Sequence, residues 1–132
     1  MNVVKAKPPY PGGSLADRSR RFALGVIRYY ALLPQGTVEQ CLGKQLLRSA
    51  TSVGAHLSEG KRSRSRAEIT SKTEVALQEL EESVYWMNLI KDAAIATDHA
   101  PDTLMQEANE LMAMLVVGIK RLKHMAPARS QP

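Results

Sequence analysis

Four cationic side chains crowd into the middle of the chain, in the stretch SEGKRSRSRAE at residues 58–68. They are Lys61, Arg62, Arg64 and Arg66. Ammonium and guanidinium groups at this density can bind the phosphates of a nucleic acid, but the same density is also common in solvated turns. The elements that hold this stretch decide between the two interpretations.

Catalytic patterns are weak elsewhere in the sequence. None of the three histidines follows a glutamate by three residues, as the metal-binding helices of a di-iron bundle require. The stretch GTVEQCLGK at 36–44 has its glycines too far apart for a phosphate loop, and Gln45 replaces the required Ser or Thr. We therefore expect no metal, no cofactor and no enzymatic activity. An enzyme that uses Glu59 or His56 is the least favoured class.

Apolar residues recur at helical spacing in four segments, and no segment shows the alternation of a strand. The segments run from Ser14 to before Pro34, from Thr37 to Gly60, from Arg66 to about Ala96, and from near Pro101 to before Pro127. Ser14, Thr37 and Ser65 each have an acidic or amide residue three positions later, which predicts an N-cap at each. Gly60 can take the left-handed conformation and is expected to end the second segment.

Short connections between long amphipathic segments favour antiparallel neighbours. The sequence therefore predicts an all-α, antiparallel up-down-up-down four-helix bundle at 14–125, with a flexible leader at 1–13 and a flexible tail at 126–132. A chain of 132 residues fits one domain. No apolar run is long enough to span a bilayer, and the N terminus lacks the apolar core of a signal peptide. We therefore expect a cytoplasmic protein without a membrane partner.

This topology brings together the start of the first helix, the end of the second, the start of the third and the end of the fourth. We call this the basic end, because it collects the candidate cations for nucleic-acid binding: Arg18, Arg20, Arg21, Lys61, Arg62, Arg64, Arg66, Lys120, Arg121 and Lys123. Helix dipoles favour cations at C-termini, which gives Lys61, Arg62, Lys120, Arg121 and Lys123 a structural reason. The other five, Arg18, Arg20, Arg21, Arg64 and Arg66, lie near N-termini, where the dipole disfavours them. Phosphate binding explains these five residues better than folding does.

Arg48 in the second segment is level with Glu79 and Glu82 when residues are counted from the turn that joins the second and third segments. The sequence therefore predicts an interhelical ion pair, and the alternative is an exposed arginine without a partner. A partly buried pair would fix the register of the two helices more than it would stabilise them, because desolvation offsets much of the attraction.

Several large apolar residues lie away from the core stripe of the bundle. Tyr85, Trp86 and Leu89 do so in the third segment. The fourth segment adds Met105, Met112, Met114, Val116 and Val117, and one bundle is not expected to bury all of these residues. Aromatic residues and methionine are enriched at subunit contacts. We therefore expect Tyr85, Trp86 and Leu89 at the interface of a homo-oligomer, and the alternative is a wide core face.

Residues 48–90, RSATSVGAHLSEGKRSRSRAEITSKTEVALQELEESVYWMNLI, resemble the four-helix-bundle proteins encoded by intervening sequences in bacterial large-subunit ribosomal RNA genes. The family pattern has an arginine with small residues, a Glu-Gly pair, a basic loop, a Ser-x-x-Glu cap and a Glu-rich helix with an aromatic-Trp pair. The matching residues are Arg48, Ser52, Glu59, Gly60, Ser65, Glu68, Lys72, Glu79, Glu82, Ser83 and Trp86. His56 replaces an asparagine common in the family, and Ile69 replaces an aromatic residue. The similarity extends more weakly over the rest of the bundle.

The resemblance implies a bundle that assembles as a homopentameric ring. A related branch, the accessory variability proteins of diversity-generating retroelements, binds nucleic acid and a reverse transcriptase, so the resemblance also implies partners of these two kinds. A ring would join five basic ends into one cationic surface, on which individually weak contacts act together.

The charges and the resemblance predict the same function. We expect a non-enzymatic oligomer that binds the backbone of RNA or DNA through its basic end, as an accessory factor in RNA processing or in a retroelement. Few aromatic side chains lie near this end, so binding should be sensitive to salt and only weakly specific for sequence. The alternative is a protein-protein interaction scaffold with no nucleic-acid role.

Overall fold

The computed structural model describes residues 13–95 and 101–125. These residues form four α-helices and no strand: α1 Leu15–Ala31, α2 Thr37–Lys61, α3 Arg66–Asp92 and α4 Asp102–His124. The all-α class predicted from apolar periodicity is therefore confirmed. The expected leader, apart from Gly13, and the expected tail lie outside the described residues. Within the described ranges, no helix combines the length and the apolar character needed to cross a membrane.

Serine hydroxyl groups cap the start of two helices. Ser14 Oγ accepts a hydrogen bond from Asp17 N at 3.1 Å, and Ser65 Oγ accepts one from Glu68 N at 3.2 Å. These bonds satisfy amide groups that have no partner within the first helical turn. The expected cap at Thr37 is wrong, because the preceding glycine occupies the N-cap position and Thr37 is the first residue of α2.

The expected ends of α2 and α3 also differ from the structure. Gly60 lies inside the last turn of α2 and does not take the left-handed conformation. A Cβ atom at this position would lie 3.1 Å from Cβ of Lys72, so the glycine allows the backbone of α2 to approach α3 closely. Helix α3 ends at Asp92 rather than near Ala96, because Ala94 takes a left-handed φ of 55°.

Each helix packs against two neighbours in the cyclic order α1, α2, α3, α4. In the α1–α2, α2–α3 and α3–α4 pairs, the contacting positions run in opposite directions along the two helices. The contacts that define this order are Tyr30–Gln40 and Ser19–Gly54 between α1 and α2, Arg48–Glu82 and Glu59–Lys72 between α2 and α3, and Lys91–Asp102 and Glu74–Lys123 between α3 and α4. The predicted antiparallel four-helix bundle is therefore confirmed.

Large apolar side chains from all four helices fill the centre of the bundle. Those without any exposed surface include Phe22, Val26, Leu46, Val53, Leu80, Met87, Ile90, Leu111 and Leu115. The core also buries Met114, and Met105 and Met112 pack against it. Val116 and Val117 remain partly exposed. Much of the apolar excess on α4 is therefore core.

Helix α4 is displaced along α1. Leu104 near its start meets Gly25, and Glu110 in its first half meets Arg18, near the start of α1. The last turns of α4 contact α3 instead, where Lys123 Nζ lies 2.8 Å from Glu74 Oε2. No residue of α4 lines the groove that opens between the start of α1, the end of α2 and the start of α3.

Candidate nucleic-acid interface

The turn between α2 and α3 is held by its own backbone and serine groups. Ser63 N donates to Gly60 O at 3.0 Å, and Ser63 Oγ accepts a hydrogen bond from Ser65 N at 3.2 Å. The serine cap of α3 follows directly. None of these bonds uses a cationic side chain, so the side chains of Arg62 and Arg64 stay available for other contacts.

Among the exposed cations of the basic end, five lie on α1, at the end of α2 or in the turn that follows it. We call these five the exposed basic cluster: Arg20, Arg21, Lys61, Arg62 and Arg64. The ion pairs found among the described residues involve none of them. Arg20 and Lys61, from α1 and α2, line the same groove. Asp17 lines it as well and is the carboxylate nearest to this cluster along α1. The cluster therefore keeps a positive charge that the described residues do not neutralise.

Arg18 does not belong to that cluster, although the sequence pattern assigned it to the nucleic-acid interface. Its side chain is 5% exposed, and Nε lies 3.1 Å from Glu107 Oε1 while Nη2 lies 2.8 Å from Glu110 Oε1. Nη1 lies 3.8 Å from the sulfur of Met114. The expectation that Arg18 lacks a local stabilising partner is wrong, because α4 supplies two carboxylates. Burial and these contacts make Arg18 unsuitable for binding phosphate.

The remaining candidates lie on or beside α3 and α4. Arg66 is half-buried, and its Nη1 donates to Met125 O at 3.4 Å, which joins the start of α3 to the end of α4. Lys123 pairs with Glu74. Lys120 and Arg121 are exposed, but Lys120 lines a second groove, between α3 and α4, that also contains carboxylates. The structure therefore does not bring these cations into one groove with Arg20 and Lys61.

The groove at the basic end encloses about 680 Å³. Its walls include half-buried Leu15, Ala23, Leu57 and Ile69. The Thr51 hydroxyl, also on the wall, donates to Leu47 O within its own helix. Because such a hydroxyl is already hydrogen-bonded within its own helix, the surface of the groove is largely apolar. Sequence reasoning missed this groove, because it depends on where α4 lies and not on the periodicity of one helix.

Arg48 contacts the two glutamates expected from counting residues outward from the turn between α2 and α3. Arg48 Nη1 lies 3.5 Å from Glu79 Oε1, and Nη2 contacts Glu82 Oε2. Glu82 also accepts a hydrogen bond from Trp86 Nε1 at 3.0 Å. The bond from Trp86 first, and the bond and charge of Arg48 second, hold the pKa of Glu82 below its ordinary value. This network links α2 to α3 on one face of the bundle.

Glu59 and His56, the residues of the least favoured catalytic alternative, belong to a second polar contact between α2 and α3. Lys72 Nζ lies 2.9 Å from Glu59 Oε1, and its hydrogen bond and charge lower the pKa of Glu59. His56 Nδ1 lies 3.4 Å from the same oxygen but without hydrogen-bond geometry. Glu59 is therefore engaged by a lysine of the neighbouring helix.

The three predicted interface residues have different surroundings. Tyr85 is 56% exposed, and its ring meets the edge of Trp86 with the ring centroids 5.0 Å apart. Trp86 packs partly against the core and donates to Glu82, while Leu89 is half-buried. Among the three, Tyr85 therefore offers the largest surface to another subunit. Val116 on α4 is a further partly exposed apolar residue.

Many residues that carry the family resemblance make contacts within the bundle. They include the ion-paired residues Arg48, Glu79, Glu82, Glu59 and Lys72, the cap residues Ser65 and Glu68, and Ser83, whose hydroxyl lies 2.9 Å from that of Ser49. The shared pattern therefore describes how α2 and α3 are held together. The exposed basic cluster is a separate feature of the surface.

The helices and this surface define an all-α, antiparallel four-helix-bundle protein with an exposed cationic end. The family model of the 23S rRNA-intervening sequence protein matches residues 14–117. This range includes most of the chain, and the protein therefore belongs to the 23S rRNA-intervening sequence protein family.

A solved crystal structure has a similar fold. It is that of a protein with unknown function from the S23 ribosomal protein family, from Bacteroides thetaiotaomicron. The two chains are 31% identical, and the superposition has a TM-score of 0.75 and covers 81% of this chain and 99% of that chain. No curated protein matches this chain.

Proposed function

We propose that this protein is a non-enzymatic, cytoplasmic oligomer that binds the phosphate backbone of RNA or DNA through its basic end. The observation that carries the proposal is the exposed basic cluster, whose cations have no ion pair among the described residues. Neighbouring unpaired cations repel one another, and a polyanion relieves that repulsion while it releases its own counterions. The turn uses backbone and serine groups, and its hydrogen bonds do not involve the side chains of Arg62 and Arg64.

Replacement of Arg62 and Arg64 by glutamine tests the proposal. Each phosphate contact that is lost reduces the slope of log affinity against log salt by about 0.7 for a single strand and about 0.9 for a duplex. We therefore expect the double variant to bind RNA and DNA more weakly at low salt and with a shallower salt dependence. Fluorescence anisotropy over a salt series measures both quantities.

A matched control replaces Arg28 and Lys44 by glutamine. Both residues are exposed, form no ion pair among the described residues and lie away from the exposed basic cluster, in the last turn of α1 and the first half of α2. The control removes the same charge and should leave binding nearly unchanged. Equal losses in both variants would contradict a localised site. Failure of the natural protein to bind any nucleic acid at low salt would overturn the proposal.

Self-association belongs to the same proposal, because several basic ends in one particle would strengthen weak phosphate contacts. The resemblance to retroelement accessory proteins makes a reverse transcriptase one candidate protein partner. An acidic protein partner without nucleic-acid binding would instead support the scaffold alternative. Binding assays with both kinds of ligand separate these functions.

A further inference from the structure

We propose that the groove at the basic end takes an unstacked base of single-stranded nucleic acid, while Arg20 and Lys61 hold the phosphates beside it. This inference rests on the proposed function and names its substrate class. Such a site requires a ligand that presents both a flat apolar surface and an anionic backbone. A single strand does so, whereas a duplex keeps its bases stacked inside.

The walls of the groove favour an apolar occupant. Leu15 and Ala23 of α1, Leu57 of α2 and Ile69 of α3 all line a space of about 680 Å³. This volume is in the ordinary range of sites for small organic groups, about 300–1,000 Å³. A planar base that enters the groove would lose its contact with water on both faces. The favourable free energy of that step comes from the apolar area removed from water.

The rim of the groove favours an anion next to that occupant. Arg20 and Lys61 are exposed lining residues, on α1 and α2. Asp17 also lines the groove, one turn before Arg20 on α1, and would repel a phosphate, but the two cations outnumber this carboxylate. Arg62 and Arg64 continue the cationic path into the turn after α2.

Charge complementarity selects a nucleic acid over the nearest alternative occupant. The chain's own leader carries Lys5 and Lys7, which a cationic rim would repel. A single strand supplies a negative charge at every nucleotide. Hydroxyl groups at the groove, such as that of Ser58, can then accept or donate hydrogen bonds to a base edge without reading one particular base.

The test fills the groove without removing a cation. Ala16 and Ala55 are exposed lining residues on α1 and α2, and either Ala16→Leu or Ala55→Leu would reduce the space without adding a ring on which a base could stack. Ala113→Leu is the matched control, because Ala113 is an exposed helical alanine of α4 outside the groove. Circular dichroism checks that each variant folds, and two independent filling variants keep the test valid if one does not.

Three RNA probes separate base contacts from phosphate contacts: an unstructured single strand, the same strand with abasic residues, and the duplex. We expect the natural protein and Ala113→Leu to bind the base-bearing strand about tenfold more tightly than the abasic strand, because a base in the groove removes apolar area from water. The filling variants should lose this preference and keep their affinity for the abasic strand and the duplex.

The outcomes distinguish this inference from the proposed function. Equal affinity of the natural protein for base-bearing and abasic strands would overturn the groove proposal and retain the phosphate site. An unchanged base preference in both filling variants would also overturn it and leave the groove to a different ligand, such as an acidic protein segment. Absence of binding to all three probes would reject the proposed function itself.

Discussion

Folding removes the guanidinium group of Arg18 from water. Burial lowers its pKa, but the hydrogen bonds to Glu110 and Glu107 outweigh that effect and raise the pKa above the ordinary value. The group therefore stays charged under all ordinary conditions. Loss of its two carboxylates would leave a buried cation that cannot shed its proton, which is one of the costly arrangements in a protein interior.

We expect the two sides of this ion pair to differ in how much their removal lowers the free energy of unfolding. Replacement of Glu107 and Glu110 by glutamine should lower the free energy of unfolding by about 1–3 kcal/mol, because the arginine remains buried while its partly exposed partners lose their charge. Arg18→Met should cost less, since the two glutamates are 36% and 52% exposed and water can solvate them. Urea denaturation measures both values. A larger loss in Arg18→Met would contradict the argument.

Glu82 gives the bundle a pH-dependent contact. Its pKa is lowered in the folded protein, by Trp86 first and by Arg48 second. A depressed carboxylate pKa contributes stability that is fully present above the ordinary value of 4.5 and is lost as the pH falls through the lower folded value. Glu82→Gln should therefore reduce the acid sensitivity of the melting temperature.

The size of this effect is modest because Glu82 is partly exposed, and about 1 kcal/mol is an upper limit for such a pair. Melting curves recorded from neutral pH down to acid measure it. Glu81→Gln is the matched control, because Glu81 is the exposed neighbour on α3 and has no ion pair among the described residues. The two variants should differ in the acid range, and identical profiles would refute the assignment.

At the scale of elements, α2 and α3 form the best-connected pair in the bundle. The close approach at Gly60, the buried hydroxyl contact between Ser49 and Ser83, and the ion pairs of Arg48 all fix one relative position of the two helices. A shift by one helical turn would separate each of these contacts. The pair therefore provides a rigid base for the turn that carries Arg62 and Arg64.

Arg48→Ala tests this register. Arg48 is 51% exposed, so we expect a loss of about 0.2–1 kcal/mol in the free energy of unfolding and a lower melting temperature. Lys44→Ala, one turn earlier on α2, removes an exposed cation that has no ion pair among the described residues. Thermal melting compares the two, and an unchanged melting temperature in Arg48→Ala would count against the network.

Much of this element-level picture could be predicted from sequence. The helices follow from the spacing of apolar residues, and the contacts of Arg48 follow from counting in both directions from a short turn. The boundaries at Thr37, Gly60 and Ala94 could not be predicted, because alternative local conformations there differ little in free energy and packing between helices decides among them. Gly60 illustrates this, since its small size serves an interhelical contact and not a helix end.

At the scale of the whole molecule, the position of α4 decides what the basic end looks like. Its displacement along α1 buries Arg18 and leaves the neighbouring groove without an α4 wall. Apolar periodicity predicts which face of α4 is buried but carries no information about axial displacement. This explains why a count of cations by helix end included Arg18 and missed the groove.

The partly exposed ring of Tyr85 predicts how copies of the chain associate. If Tyr85 is an anchor of the subunit interface, Tyr85→Ser should weaken self-association by about tenfold or more. Val38→Ser is the control, because Val38 is a similarly exposed apolar residue, in the first turn of α2. Sedimentation velocity over a concentration series measures both variants. A natural protein that stays monomeric at all concentrations would reject the interface.

The contact of Arg18 with α4 also has a consequence for the order in which the chain folds. Its carboxylate partners lie 89 and 92 residues further along the sequence, so a growing chain makes α1, α2 and α3 before either partner exists. Long-range contacts of this kind form late, because the intervening chain must first be ordered. We therefore expect the α2–α3 pair to fold early and the ion pairs of Arg18 with Glu107 and Glu110 to form last. Docking of α4 onto α1 would then be the event that withdraws Arg18 from solvent and gives the cationic surface its final composition.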